Sequence, residues 1–106
     1  MTFEHLVIHR RHGPDDLVLA LYGELDLLTA PRLRRELTEA VTDGRDRIVV
    51  DLSGLEFMDS SGLHVLLEAS ERARGNDHRL SLRSAPPRVH RLFELTGTIR
   101  RFDFAS

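Results

Sequence analysis

The chain has 106 residues, 41% of them apolar, with 15 basic and 17 acidic side chains and a formal net charge of −2. That is enough to build one modest core, and the near-neutral balance argues against non-specific nucleic-acid binding. Cysteine is absent and all basic residues are arginine, which excludes disulfides, thiol chemistry, Walker P-loops, protein-kinase catalysis and Schiff-base or Ser-Lys chemistry.

In chain order, Leu6 to Arg11 alternates weakly and predicts a strand. His12-Gly13-Pro14-Asp15-Asp16 predicts a turn. Leu17 to Tyr22 is apolar on both faces, as in an interior strand, and Gly23-Glu24-Leu25-Asp26 leads out of it. Thr29-Ala30-Pro31 is a helix start, with a hydroxyl cap and a first-turn proline. Ala30, Leu33, Leu37, Ala40 and Val41 then recur at helical spacing up to an expected stop at Gly44.

Ile48 to Leu52 predicts a buried strand, followed by a turn at Ser53-Gly54 and then by Leu55 to Met58. Leu63 to Ala73 predicts a broadly apolar second helix ended by Gly75 and Asn76, and Arg79 to Arg83 a half-buried strand. Pro86-Pro87 opens a third helix carrying Val89, Leu92 and Phe93 and stopped at Gly97. Ile99 to Phe104 alternates as a last short strand. Strands alternating with helices give an α/β fold, with a mixed sheet of four to five strands packed with three to four helices. No apolar run is long enough to span a bilayer and no signal peptide opens the chain, so a soluble cytoplasmic protein is expected.

The informative segment is Asp59-Ser60-Ser61-Gly62, set before a strongly apolar helix. One reading is plain capping, with Asp and Ser accepting from free backbone N–H groups. The other uses the same physics: a helix N-terminus tolerates an anion. A phosphate on Ser60 or Ser61 would add roughly −1.5 to −2 charges without unfolding the domain.

Phe57-Met58-Asp59-Ser60-Ser61-Gly62-Leu63 resembles the signature of STAS-domain anti-sigma-factor antagonists. Gly23-Glu24-Leu25-Asp26 resembles a second family motif and Arg91-Leu92-Phe93-Glu94-Leu95-Thr96-Gly97 a third, in the family's order and at about its spacing. The resemblance implies a single STAS domain over residues 1–106, acting as a binding module rather than an enzyme. Its partner would be an anti-sigma-factor serine kinase with a Bergerat-type ATP-binding fold, and binding would free a sigma factor. Phosphorylation would end the binding and a PP2C-type phosphatase would reset it. By position the phosphorylated residue is Ser60, with Ser61 a cap or minor site. The implied partner surface comprises Asp26, Thr29, Asp59, Ser60, Ser61, Gly62 and His64, with the Leu27-Leu28-Thr29 loop as its second patch. Two departures stand out. His64 occupies a position that is often glycine, and the chain ends soon after Phe104, where many relatives continue into another helix; that predicts an exposed apolar patch at Phe102 and Phe104.

Rival constellations are weaker. His5 and His9 share a strand face but lie too far apart for one ion. His64 with Glu68, and His90 with Glu94, are helical i,i+4 pairs without a third ligand, so no metal site or cofactor is expected. A nucleophilic serine lacks the G-x-S-x-G elbow and is set apart from the Ile48–Leu52 strand by a loop. Glu24, Asp26, Asp51 and Asp59 are read as caps and strand-end groups rather than an acid pair. Nucleotide binding lacks a glycine-rich cradle. Arg32, Arg34, Arg35, Arg88 and Arg91 are read as solvated helix faces, or as groups that meet an acidic partner surface. The alternative function is a STAS subunit docking on a transporter ATPase, or a signalling scaffold, without sigma-factor control.

Overall fold

The computed structural model describes residues 5–43 and 46–105. Five strands and three α-helices alternate: β1 (Leu6–His12), β2 (Asp16–Leu25), α1 (Ala30–Thr42), β3 (Arg47–Met58), α2 (Ser60–Gly75), β4 (Arg79–Arg83), α3 (Pro87–Thr96) and β5 (Asp103–Ala105), with a 3₁₀ turn at Ile99–Arg101 before β5. The sheet order is β1-β2-β3-β4-β5. β1 and β2 form an antiparallel hairpin; the other neighbours are parallel, each joined through a helix. The sheet is therefore mixed, as its alternation of strands and helices requires.

Side-chain alternation assigns the two faces of the sheet. Leu17 and Leu19 of β2 line up with Ile48 and Val50 of β3 and with Leu80 and Leu82 of β4. All of them join one core with Leu33, Leu37, Leu66, Ala69, Val89 and Phe93 from the helices. Val18 and Val49, from the opposite face, are buried but lie outside that core. In α1 the buried set is Ala30, Leu33, Leu37, Ala40 and Val41, the stripe expected from the sequence. The expected stop at Gly44 lies outside the described residues; Asp43 forms the C-cap. α3 ends at Gly97, whose left-handed φ of 70° suits a residue without Cβ.

Several expectations are corrected, and among them the last strand is confined to Asp103–Ala105, because Ile99–Arg101 forms a 3₁₀ turn. Ser53-Gly54 is not a turn: β3 runs unbroken to Met58 and absorbs extra residues as register shifts against β2. Glycine permits this, because a Cβ on Gly54 would lie 2.3 Å from Tyr22 Cδ1 and 2.6 Å from the Leu21 carbonyl oxygen. Gly23 to Leu25 likewise continue β2 instead of leaving it. Phe102 is not exposed: the 3₁₀ turn brings it inward, edge-on to Phe93 at 5.2 Å, while Phe104 stays partly exposed and packs on the same ring at 5.5 Å.

Candidate functional site: the carboxyl ends of two parallel strands

β2 and β3 end side by side, with Leu25 in register with Met58. Each is followed by one aspartate and a helix, and the two exits are tied together where the Asp59 N–H donates to the Leu25 carbonyl at 3.1 Å. The Asp26 loop and the start of α2 therefore form one surface at the carboxyl end of the strands, where open α/β sheets place their sites.

The Asp26 loop is held by its own polar groups. Asp26 Oδ1 accepts from the N–H groups of Leu28 at 3.0 Å and Thr29 at 3.1 Å. The Asp26 N–H donates to Thr29 Oγ1 at 2.9 Å, and that hydroxyl donates to the Glu24 carbonyl at 2.9 Å. Thr29 is thus not a side-chain cap of α1. Its hydroxyl turns back into the loop, and the residue is only 6% exposed. The outcome is a hydrogen-bonded turn that leaves Leu27 and Leu28 outward, 73% and 80% exposed.

At the start of α2, the cap is Asp59 and not Ser61. Its Oδ1 accepts from the Ser61 N–H at 2.8 Å and, more weakly, from the Gly62 N–H at 3.4 Å. Ser60 is the first residue of the helix and is exposed, and its hydroxyl has no hydrogen-bond partner among the described residues. Ser61 is half-buried. Gly62 is buried, and a Cβ there would meet Leu25 Cγ at 2.6 Å. His64 is exposed one turn further along.

An open groove of about 300 Å³ joins the two halves, lined by Leu27, Ala30, Pro31, Arg34, Ser60, Ser61 and His64. Of the seven residues singled out in the sequence, Ser60, Ser61 and His64 line this groove. Asp26 and Asp59 shape its two walls from half-buried positions, and Thr29 and Gly62 are internal supports. Leu27, from the loop that the family resemblance assigns to the partner surface, also lines the groove, and so does Arg34, expected from the sequence as a solvated helix face. Arg34 reaches from α1 to α2, with Nε and Nη2 each 3.3 Å from a carboxylate oxygen of Glu68. Glu68 is therefore committed to Arg34 rather than to His64.

The rival constellations separate in space. His5 precedes β1 and lies 3.5 Å from Glu24, and His90 pairs with Glu94 at 3.4 Å. Among the described residues no group of three or more His, Asp or Glu side chains is placed to hold a metal. The loop expected between β3 and the serines does not exist, since β3 delivers the chain straight into Asp59. A nucleophile nevertheless needs an adjacent base and an orienting group. No hydrogen bond among the described residues links either serine to His64, and Glu68 is engaged elsewhere. Arg32 is not a solvated face: it is half-buried and donates to the Leu6 carbonyl at 2.5 Å.

The Asp51 carboxylate has a displaced titration. Burial acts to raise its pKa, but the Ser53 N–H at 2.9 Å, the Ser53 hydroxyl and the Arg83 guanidinium at 3.3 Å outweigh it and hold the group below the usual carboxylate range. It braces β3 against β4, away from the serine groove. No helix among the described residues is long and apolar enough to cross a membrane.

Comparison with known proteins identifies the family. The family described as "Mlab, STAS domain" matches residues 8–100. The chain belongs to the STAS-domain anti-sigma-factor antagonist family. An anti-sigma-B factor antagonist of Staphylococcus aureus is 39% identical over 75 residues, covering 71% of this chain and 69% of that protein. An anti-sigma F factor antagonist of Paenibacillus polymyxa is 33% identical over 97 residues, covering 91% of this STAS chain and 83% of its relative. The crystal structure of an anti-sigma factor antagonist from Mycobacterium paratuberculosis superposes with a TM-score of 0.85 at 27% identity, over 93% of this chain and 84% of that one.

Proposed function

We propose that this STAS protein is an anti-sigma-factor antagonist that acts in the cytoplasm as a substrate and not as an enzyme. Unphosphorylated, it binds an anti-sigma-factor serine kinase of the Bergerat type and so releases a sigma factor. The kinase then transfers the γ-phosphoryl group of ATP to Ser60 Oγ, releasing ADP, and the pair separates; a PP2C-type phosphatase hydrolyses the ester and restores binding. The observation that carries this reading is the division of labour at the start of α2. Asp59 takes the cap, which leaves the Ser60 hydroxyl exposed and uncommitted in a groove beside two outward leucines.

The same geometry accounts for a switch that spares the fold. A phosphoryl group on Ser60 brings roughly −1.5 to −2 charges beside the Asp59 carboxylate. The helix N-terminus tolerates that charge locally, while a partner surface shaped to a neutral hydroxyl does not. Ser61, half-buried in the same turn, is the minor candidate.

Affinity capture from host lysate with Ser60→Ala and Ser60→Asp as paired baits tests the reading. Recovery of an ATP-binding serine kinase by the Ala form alone is expected. Recovery of a transporter ATPase, or equal capture by both baits, would move the function to a STAS subunit outside sigma-factor control.

A further inference from the structure

α3 carries a stripe that its own packing leaves unused. Val89 and Phe93 are its buried residues. Arg88, Arg91, Leu92 and Leu95 recur at i, i+3, i+4 and i+7 and therefore share a different side of the helix. Leu92 is half-buried against the core, and Leu95 is 74% exposed. Together with Phe57, 46% exposed, and Met58 at the end of β3, these four residues line an open groove of about 220 Å³. Two large apolar side chains thus face one concavity, which an isolated exposed leucine would not do.

The charged residues that line the groove are both arginines. Neither Arg88 nor Arg91 has an ion-pair partner among the described residues. The nearest acidic residue on α3, Glu94, is taken by His90 at 3.4 Å. An apolar floor with a cationic rim fits an amphipathic segment whose apolar side is flanked by carboxylates. The groove also adjoins the switch: Phe57 precedes Ser60 by three residues on the run from β3 into α2.

We propose that the Phe57–Leu95 groove docks an acidic amphipathic segment of the same kinase that engages Ser60, with its apolar side chains on Phe57 and Leu95 and its carboxylates on Arg88 and Arg91. This rests on the proposed function and extends the partner surface beyond the Asp26 loop and the start of α2.

The test uses the full chain and the purified full-length serine-kinase anti-sigma factors of the source genome, with binding followed by biolayer interferometry at two salt concentrations. Leu95→Asp is expected to weaken binding about tenfold, because a central apolar anchor is lost. The double variant Arg88→Gln/Arg91→Gln is expected to bind several-fold more slowly and to lose much of the wild-type salt dependence, because rim charges act mainly on association. Both should melt with wild-type protein, since the altered side chains are exposed. Groove variants that bind as wild type while Ser60→Asp does not would overturn the groove alone. Failure of the wild type to bind any such kinase would overturn the proposed function and the groove with it. Concentration-dependent dimers of the chain alone, abolished by Leu95→Asp in sedimentation velocity, would assign the groove to a second copy instead.

Discussion

Gly62→Ala sets two familiar effects against each other. Within a helix, alanine is favoured over glycine by roughly 0.5–1 kcal/mol. At this position, however, the added methyl carbon would lie 2.6 Å from Leu25 Cγ, 2.7 Å from Leu25 Cδ2 and 2.9 Å from Met58 Cγ. Leu25 is fully buried and Met58 nearly so, which leaves their side chains little room to swing aside. Overpacking of this kind costs about 1–3 kcal/mol, so the substitution should be destabilising by about 1–2 kcal/mol net. In a chain of this size that lowers Tm by roughly 5–10 °C. Gly75 in the same helix is the control, because a Cβ there meets nothing within 4 Å; Gly75→Ala should leave Tm unchanged or raise it slightly. Thermal unfolding followed by circular dichroism separates the two. A Gly62→Ala protein as stable as Gly75→Ala would refute the claim that the start of α2 is seated tightly on the ends of β2 and β3.

Asp59→Ala should cost about 1 kcal/mol through loss of the α2 cap, whereas Asp59→Asn keeps an acceptor and should cost only a few tenths; equal losses in urea titrations would place the contribution in charge alone. Leu27→Ser/Leu28→Ser should melt within about 0.5 kcal/mol of wild type yet bind the kinase at least about tenfold more weakly, and a large drop in stability would show that the two leucines pack internally. Asp51 has a folded-state pKa below its unfolded value, so its stabilisation is present above about pH 4 and is lost as the pH falls through the folded pKa. Asp51→Asn should therefore lower stability at pH 7 and flatten the acid limb of the stability–pH curve, and an unchanged limb would show that Asp51 is not linked to folding.

How much was legible in the sequence depended on contrast between neighbouring residues. The buried face of α1 could be read because Leu33, Leu37, Ala40 and Val41 alternate with charged residues at helical spacing. β4 was equally clear, with Leu80 and Leu82 set between arginines and a serine. β3 was not, because Ser53-Gly54 has the composition of a turn. Only the approach of Tyr22 and the Leu21 carbonyl explains why a glycine belongs inside the strand. At the site, the exposed serine was visible from its place before an apolar helix. The identity of the caps was not, since Asp59, Ser60, Ser61 and Thr29 are all competent acceptors and only the local backbone chooses among them. Leu27 and Leu28 were assigned to the partner surface by the family resemblance and not by their own chemistry. Their residue type points to a core, and only the Asp26–Thr29 hydrogen bonds show that the loop turns them outward.

Site-resolved phosphorylation decides whether Ser60 is the switch. The protein would be incubated with its cognate serine kinase and ATP, mapped by tandem mass spectrometry, and assayed for kinase binding before and after the reaction. A single phosphate on Ser60, with binding lost on its addition and regained after phosphatase treatment, is the expected result. Phosphate confined to another residue, or a Ser60-phosphorylated protein that binds the kinase as tightly as the unmodified form, would contradict the account.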